Sequence, residues 1–190
     1  MTLSNDEKKF LLNIARQSLE LWIAHKGIYK PSLATFNGDT TNLASLCGAF
    51  VTLHKNGQLR GCIGRFEADY SSPLYLLVNG LTIDAATHDH RFQPVQANEA
   101  KNIEIEISVL TPRIRINSID EIVLGKHGIY IQYYGRTSTF LPQVATETGW
   151  NKEQFLGNCM VEKMGLGWND WRSAAIFTYE AIVFNEAQMK

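Results

Sequence analysis

The dipeptide Asn56-Gly57 constrains this chain more than any other feature, because it joins two runs of extended character. The runs are AFVTLH at 49–54 and LRGCIG at 59–64. Both central residues of a type I′ turn need a positive φ, which asparagine and glycine tolerate better than other residues. The pattern therefore predicts a β-hairpin with antiparallel pairing.

The predicted turn also fixes a register for the whole hairpin. Counting outward from the turn gives the facing pairs Lys55 with Gln58, His54 with Leu59, Leu53 with Arg60, Thr52 with Gly61, and Val51 with Cys62. Because side chains alternate along a strand, each residue is then assigned to a face. One face carries Val51, Leu53, Arg60 and Cys62, and the other carries Phe50, His54, Leu59 and Ile63.

The predicted position of Arg60 makes Cys62 a candidate nucleophile. The two residues would lie roughly 6–7 Å apart along one face of the strand, and a guanidinium this near favours a thiolate. Gly61 and Gly64 remove bulk beside the thiol, which lets another backbone or a ligand approach closely. The alternative is that the glycines mark a bulge or tight packing, and that Cys62 is a small buried hydrophobic residue.

A second polar cluster follows in the stretch DAATHDHRF, which begins at Asp84. Asp84 and His88 are four residues apart and would share a helical face. His88 or His90 is a candidate base for Cys62, with Asp84 or Asp89 orienting the imidazole. His54 is a poorer candidate base, because the predicted register places it on the opposite face of the hairpin.

The same cluster is a candidate metal site, since His88 and His90 with a carboxylate or thiolate would supply three or four ligands. Residues i and i+2 diverge on a helix, however, and this segment is predicted to be a helix end. We therefore predict no metal and no cofactor.

The segment Gly125-Lys-His-Gly128 lacks the spacing of a phosphate-binding loop and is predicted to be a turn.

Hydrophobic periodicity predicts further helices and strands around this hairpin. Helices are expected at 5–26, where Ser4 and Glu7 form a capping-box pattern, at 71–88 and at 150–164. Strands are expected at 103–109, 114–116, 129–133 and 175–184, and 27–48 is expected to be a long connection. Hairpins and helices alternate without a regular strand-helix-strand rhythm, which predicts an α+β domain over residues 1–190.

Composition limits the functional classes. The net charge of -1 and the pI near 6.5 do not provide the positive field that nucleic-acid binding usually needs. No stretch has the form of a signal peptide or of a membrane-spanning helix. The three cysteines are odd in number and have no Cys-x-x-Cys spacing, which indicates neither a disulfide framework nor a zinc site. We therefore expect a cytoplasmic protein with no nucleic-acid or membrane partner.

Several blocks of the sequence occur in an order that resembles the AMMECR domain family. They are LRGCIG at 59–64, Asp89 with Arg91 and Phe92, EIEISVL at 104–110, Gly125-Lys126 with Gly128, and FLPQVA at 140–145 followed by Gly149-Trp150. The resemblance extends over about residues 4–186. Around Asp89 the family usually shows Arg-Asp-Pro-Arg-Phe, whereas this chain has His88 and His90 in place of the first arginine and the proline.

The resemblance implies an α+β domain with a mixed or antiparallel sheet, packed helices, and a larger and a smaller lobe around a cleft at the Arg-Gly-Cys block. It also implies partners, because microbial members resemble component A of the AmmeMemoRadiSam system. The other components of that system are a Memo-type protein related to non-haem dioxygenases and a radical SAM protein.

Two functional hypotheses follow. In the first, the chain is a cysteine-dependent component of a redox or radical SAM-associated modification system. Its expected catalytic residues are Cys62, Arg60 and Asp89, and its expected substrate-binding residues are Gly61, Gly64, Arg91 and His88. In the second, it is a non-catalytic binding or adaptor domain, in which the two arginines bind a carboxylate or phosphate without further chemistry.

Overall fold

A computed structural model describes residues 1–66 and 72–189. The chain forms two compact units, one made of Met1–Leu110 and Ile182–Lys190 and the other of Thr111–Ala181. The mixture of helices with antiparallel strands confirms the predicted α+β class. The prediction of one domain over the whole chain stays a prediction.

The larger unit begins with helix α1 (Asn5–His25), which starts at the predicted capping box. The Ser4 side chain accepts a hydrogen bond from the Glu7 amide, and the Glu7 side chain accepts one from the Ser4 amide. The helix ends where Lys26 adopts a left-handed conformation with φ 53°. Helix α2 (Leu74–Thr87) is shorter than the predicted helix, and position 71 of that prediction lies outside the described residues.

Three antiparallel strands complete this unit: β1 (Ala49–Lys55), β2 (Gln58–Arg65) and β3 (Ile103–Leu110). The strand order is β2-β1-β3. Alternate residues of β1 and β3 are buried with apolar residues of α1 and α2 in one core. The strand predicted at 103–109 is confirmed, and the predicted connection at 27–48 contains one short 3₁₀ turn, Leu33–Thr35.

The hairpin prediction is confirmed at its turn and wrong beyond it. Asn56 and Gly57 have φ values of 53° and 76°, and His54 pairs with Leu59 as predicted. The register then shifts, because Leu53 pairs with Gly61 and leaves Arg60 as an extra residue in β2. This β-bulge moves every later residue of β2 to the opposite face from the one predicted.

The smaller unit contains strands β4 (Ile114–Arg115), β5 (His127–Tyr133), β6 (Arg136–Phe140) and most of β7 (Ala175–Asn185). β7 pairs with both β4 and β5, and β5 pairs with β6. Helices α3 (Pro142–Thr148) and α4 (Lys152–Asn158) follow, and α4 continues into a π-helical turn, Cys159–Met164. The sequence did not predict β6 or α3.

Within residues 1–66 and 72–189, no helix combines the length and the apolar composition needed to cross a membrane.

Candidate functional site

The bulge at Arg60 determines which side chains surround Cys62. Cys62 pairs with Thr52, and Thr52 pairs on its other side with Glu106 of β3. Val51 and Leu53 are fully buried in the core, so Cys62 lies on the opposite, partly exposed face of the sheet. The predicted grouping of Cys62 with Val51 and Leu53 is therefore wrong.

His54 lies on the same face as Cys62, contrary to the prediction. It is two residues from Thr52 along β1, which corresponds to about 6–7 Å along a strand. In the β1–β3 pairing it faces Glu104. The outer face of these three strands thus carries a thiol, a hydroxyl, an imidazole and two carboxylates.

The Cys62 sulfur is half-buried and accepts a hydrogen bond from Thr52 Oγ1 at 3.3 Å. The other two cysteines are buried. Burial raises the pKa of the Cys47 thiol, and it raises the pKa of the Cys159 thiol to about 11. Of the three thiols, Cys62 is the one that solvent reaches most readily.

Asp89 holds the backbone of Cys62 in place. Its Oδ2 accepts hydrogen bonds from the Cys62 amide at 2.8 Å and from Arg91 Nη2 at 2.7 Å. Its Oδ1 accepts from the Arg91 amide at 3.2 Å and from Arg91 Nε at 2.9 Å. The bonds from the Arg91 side chain, with a smaller contribution from the Cys62 amide, hold the pKa of Asp89 well below its usual range. The carboxylate is thus buried, ionised and engaged through both oxygens.

Arg91 brings a cation to the backbone of Cys62. Its Nη2 lies 3.5 Å from the Cys62 carbonyl oxygen, and its side chain is 58% exposed. The hydrogen bonds to Asp89 are the main reason why the pKa of Arg91 is raised. Arg91 therefore has a guanidinium that both fixes Asp89 and faces solvent.

Arg60 forms an ion pair with Glu99. Its Nε and Nη2 donate to the two Glu99 oxygens at 3.1 and 2.9 Å, and Lys55 Nζ donates to the same carboxylate at 2.7 Å. The Arg60 bond is the largest cause, and the Lys55 bond the next, of a Glu99 pKa lowered to about 2. The guanidinium also lies 5.9 Å from the centre of the Phe92 ring.

The two glycines beside Cys62 allow close contacts within the protein. A Cβ atom on Gly61 would lie 2.2 Å from the Ala85 carbonyl oxygen, near the end of α2. A Cβ atom on Gly64 would lie 2.0 Å from the Phe50 ring. The bulge and the tight packing, which were the alternative interpretation of these glycines, are both present. The substrate-binding role of Gly61 and Gly64 stays a prediction.

The histidines of the second polar cluster are at the end of α2. His88 is exposed and its Nδ1 lies 3.0 Å from Asp84 Oδ1, as the i, i+4 spacing predicted. His90 is exposed as well. In the part of the chain that the structure describes, no three His, Cys, Asp or Glu side chains form a cluster suited to a metal ion.

Comparisons with known proteins identify relatives along almost the whole chain. The model of the AMMECR1 family matches residues 12–184. Protein MK0488 of Methanopyrus kandleri is 35% identical, with 98% of this chain and 91% of the relative covered. A protein of Methanothermobacter thermautotrophicus is 36% identical, with 97% and 96% covered. The crystal structure of PH0010 from Pyrococcus horikoshii superposes with a TM-score of 0.77 at 30% identity, covering 93% of this chain and 90% of that one.

Proposed function

This chain belongs to the AMMECR1 family. We propose that its LRGCIG block at 59–64 forms a cysteine-dependent enzyme site, with Cys62 as the nucleophile. One observation carries the proposal: the half-buried Cys62 sulfur accepts a hydrogen bond from Thr52 on a partly exposed sheet face that also holds His54. The hydrogen bond orients the sulfur on a face of the sheet that a substrate can reach.

In the proposed reaction, the Cys62 thiol gives its proton to His54, directly or through one water molecule. The thiolate then attacks an electrophilic carbon of the substrate, so that a carbon–sulfur bond forms and the bond to the leaving group breaks. His54 returns the proton to the leaving group. A second nucleophile, which is water or an acceptor molecule with an O–H or N–H group, then attacks the same carbon and gives its proton to His54. The carbon–sulfur bond breaks, and His54 passes this proton to the sulfur, which restores the thiol.

Asp89 and Arg60 are positioning residues in this proposal. Asp89 is poorly suited to proton transfer, because its pKa is low and both of its oxygens already accept hydrogen bonds. It fixes the backbone at Cys62, while Arg60 fixes the bulge through Glu99. The exposed guanidinium of Arg91 is the group that would bind an anionic part of the substrate.

Alkylation by iodoacetamide, followed by peptide mass spectrometry, tests the proposal. We expect Cys62 in the folded protein to react faster than Cys47 and Cys159, and His54→Gln to slow its reaction severalfold. The matched control is His25→Gln, since His25 is an exposed histidine at the end of α1. If Cys62 reacts no faster than the two buried thiols, or if both histidine variants behave alike, the proposed nucleophile or its base is wrong.

The proposal includes a compartment and partners. Three free cysteines suit the reducing cytoplasm. A Memo-type protein and a radical SAM protein are the partners that the family resemblance implies, which would place the modified group in a redox or radical-dependent pathway. Co-purification of the tagged chain with these two proteins from cells that express all three is the direct test. Repeated failure to co-purify would show that the two proteins are not partners of this chain.

A binding or adaptor role is the second candidate, and the ion pairs between charged side chains around Cys62 favour it. Asp89, Arg91, Arg60 and Glu99 are all engaged with one another or with the backbone, as in a rigid recognition surface. Cys62→Ala separates the two candidates. An adaptor would keep its partner in this variant, whereas an enzyme site would lose the alkylation-sensitive activity.

A further inference from the structure

A cavity of about 520 Å³ lies within the larger unit, formed by three segments that are distant in sequence. One face of α1 contributes Lys9, Leu12, Asn13 and Arg16; the start of β3 and the residues before it contribute 101–104; and the segment after β7 contributes Glu186, Ala187 and Met189. This volume falls in the range of small-molecule sites. None of these residues belongs to the proposed Cys62 machinery, although Glu104 pairs with His54 across the strands.

Hydrogen bonds hold the side chain of Arg16, which lines the cavity, in one position. Its Nε donates to Glu186 Oε1 at 2.9 Å and its Nη2 donates to Glu186 Oε2. Nη1 and Nη2 donate to the carbonyl oxygens of Ala100 at 3.1 Å and Ile103 at 2.7 Å. The Glu186 carboxylate also accepts from the Ile105 amide at 2.9 Å. A ligand would therefore not have to order the Arg16 side chain on binding.

The charge of the lining favours an anion. Arg16 has five N–H groups, and the four bonds above leave one Nη1 hydrogen without a partner in the described residues. Lys9 and Lys101 are exposed and line the cavity from α1 and from the approach to β3. Glu186 is neutralised by Arg16, so the two lysines outnumber the one remaining carboxylate, Glu104.

The cavity also offers apolar surface. Leu12 and Ile103 are almost fully buried and belong to the core, and Met189 is partly buried against the same core. All three side chains line the cavity. An apolar body attached to the anionic group would thus have a surface to pack against.

We propose that this cavity binds a small organic anion. Its carboxylate or phosphate group lies between Lys9 and Lys101, within reach of the free Arg16 hydrogen, and its apolar body packs on Leu12, Ile103 and Met189. The inference does not depend on the proposed chemistry of Cys62, because it rests on a different set of side chains.

The test is a titration followed by amide NMR, with inorganic phosphate, AMP and benzoate as probes. We expect AMP or benzoate to shift the amide signals of Asn102 and Ala187. Tighter binding of AMP identifies a phosphate ester as the ligand class, and tighter binding of benzoate identifies a carboxylate. If inorganic phosphate binds as well as both, the apolar part of the proposal is wrong, and if no probe shifts these signals, the site is refuted.

A pair of double variants supplies the control. Lys9→Gln with Lys101→Gln is expected to raise the Kd of the tighter probe about tenfold or more, since each lysine donates a charge-assisted hydrogen bond. Lys8→Gln with Lys30→Gln changes the net charge equally, and neither residue lines the cavity. Equal Kd values in the two double variants would overturn the proposal. Urea midpoints of both variants check that the fold is retained.

Discussion

Replacement of Asp89 by asparagine tests the most strongly held contact of the Cys62 site. Asparagine keeps one acceptor oxygen, which can still serve the Arg91 amide and Nε, but its NH₂ group then faces the Cys62 amide. Arg91 Nη2 can turn to solvent, because the side chain is 58% exposed. The Cys62 N–H is half-buried and loses its acceptor.

The cost follows from these contacts. A half-buried donor that loses its acceptor costs up to about 1–3 kcal/mol, and the loss of the charge-assisted bonds to Arg91 adds to this cost. We therefore expect Asp89→Asn to lower the free energy of unfolding by about 2–3 kcal/mol at pH 7. The matched control is Glu153→Gln, because Glu153 and Arg172 form an ion pair at 3.1 Å with both side chains more than half exposed. An exposed pair of this kind contributes about 0–1 kcal/mol.

Urea denaturation at several pH values measures this effect. The folded pKa of Asp89 is lowered, so its stabilisation is present above the unfolded value of about 3.9 and is lost as the pH falls through the folded pKa. The difference between wild type and Asp89→Asn should therefore be complete at pH 7 and shrink below about pH 4. Hydrogen exchange at the Cys62 amide, which donates to Asp89, should also become faster in the variant.

Two results would refute this reasoning. One is a loss of stability in Asp89→Asn no larger than that in Glu153→Gln at pH 7. The other is a difference from wild type that stays constant down to pH 3, since that would show that the charge of Asp89 contributes nothing.

Three other perturbations have defined outcomes. Gly61→Ala should lower the free energy of unfolding by about 3 kcal/mol or more, because the new Cβ would lie 2.2 Å from the Ala85 oxygen. Gly80→Ala, in open space within α2, should raise it by about 0.5–1 kcal/mol. Similar urea midpoints for the two variants would contradict this prediction. Glu99→Gln should destabilise the protein at pH 7. The difference in free energy of unfolding between wild type and this variant should disappear as the pH falls from 4.5 towards about 2, and a pH-independent difference would contradict this prediction. Cys159 should react with iodoacetamide at least about tenfold more slowly in the native protein than in urea, because its thiol is buried and has a pKa of about 11. Equal rates would contradict this prediction and would show that the smaller unit opens readily.

Local signals in the sequence predicted α1, the Asn56-Gly57 turn and β3 well. Each depends on chemistry within a few residues: the reciprocal capping of Ser4 and Glu7, the positive φ of the turn residues, and strict alternation. Strand β6 was missed, since its sequence RTSTF carries only one residue with a strong apolar character. Its pairing with β5 is a tertiary effect that no local pattern encodes.

Some of the contacts around Cys62 were predicted from the sequence. The sequence identified Cys62, Asp89 and Arg91, and the structure brings these three together. It did not identify Thr52 or the position of His54, because one extra residue at Arg60 reverses the faces of everything that follows. Gly61 and Gly64 were the sequence signals for a bulge, but a glycine within a strand marks a close backbone approach as readily as a bulge. The pairing of Arg60 with Glu99 joins positions 39 residues apart and had no local signal.

The contacts of Asp89 with Cys62 have a consequence for association between molecules. Among the strands in residues 1–66 and 72–189, β2 is terminal in the order of the sheet, and a terminal strand offers amides and carbonyls to other extended chains. Asp89 accepts from the Cys62 amide and Arg91 approaches its carbonyl, so two side chains occupy the positions that the backbone of an added strand would take. The pair therefore blocks the addition of another strand at Cys62, and its removal would expose this position of β2 to intermolecular strand pairing.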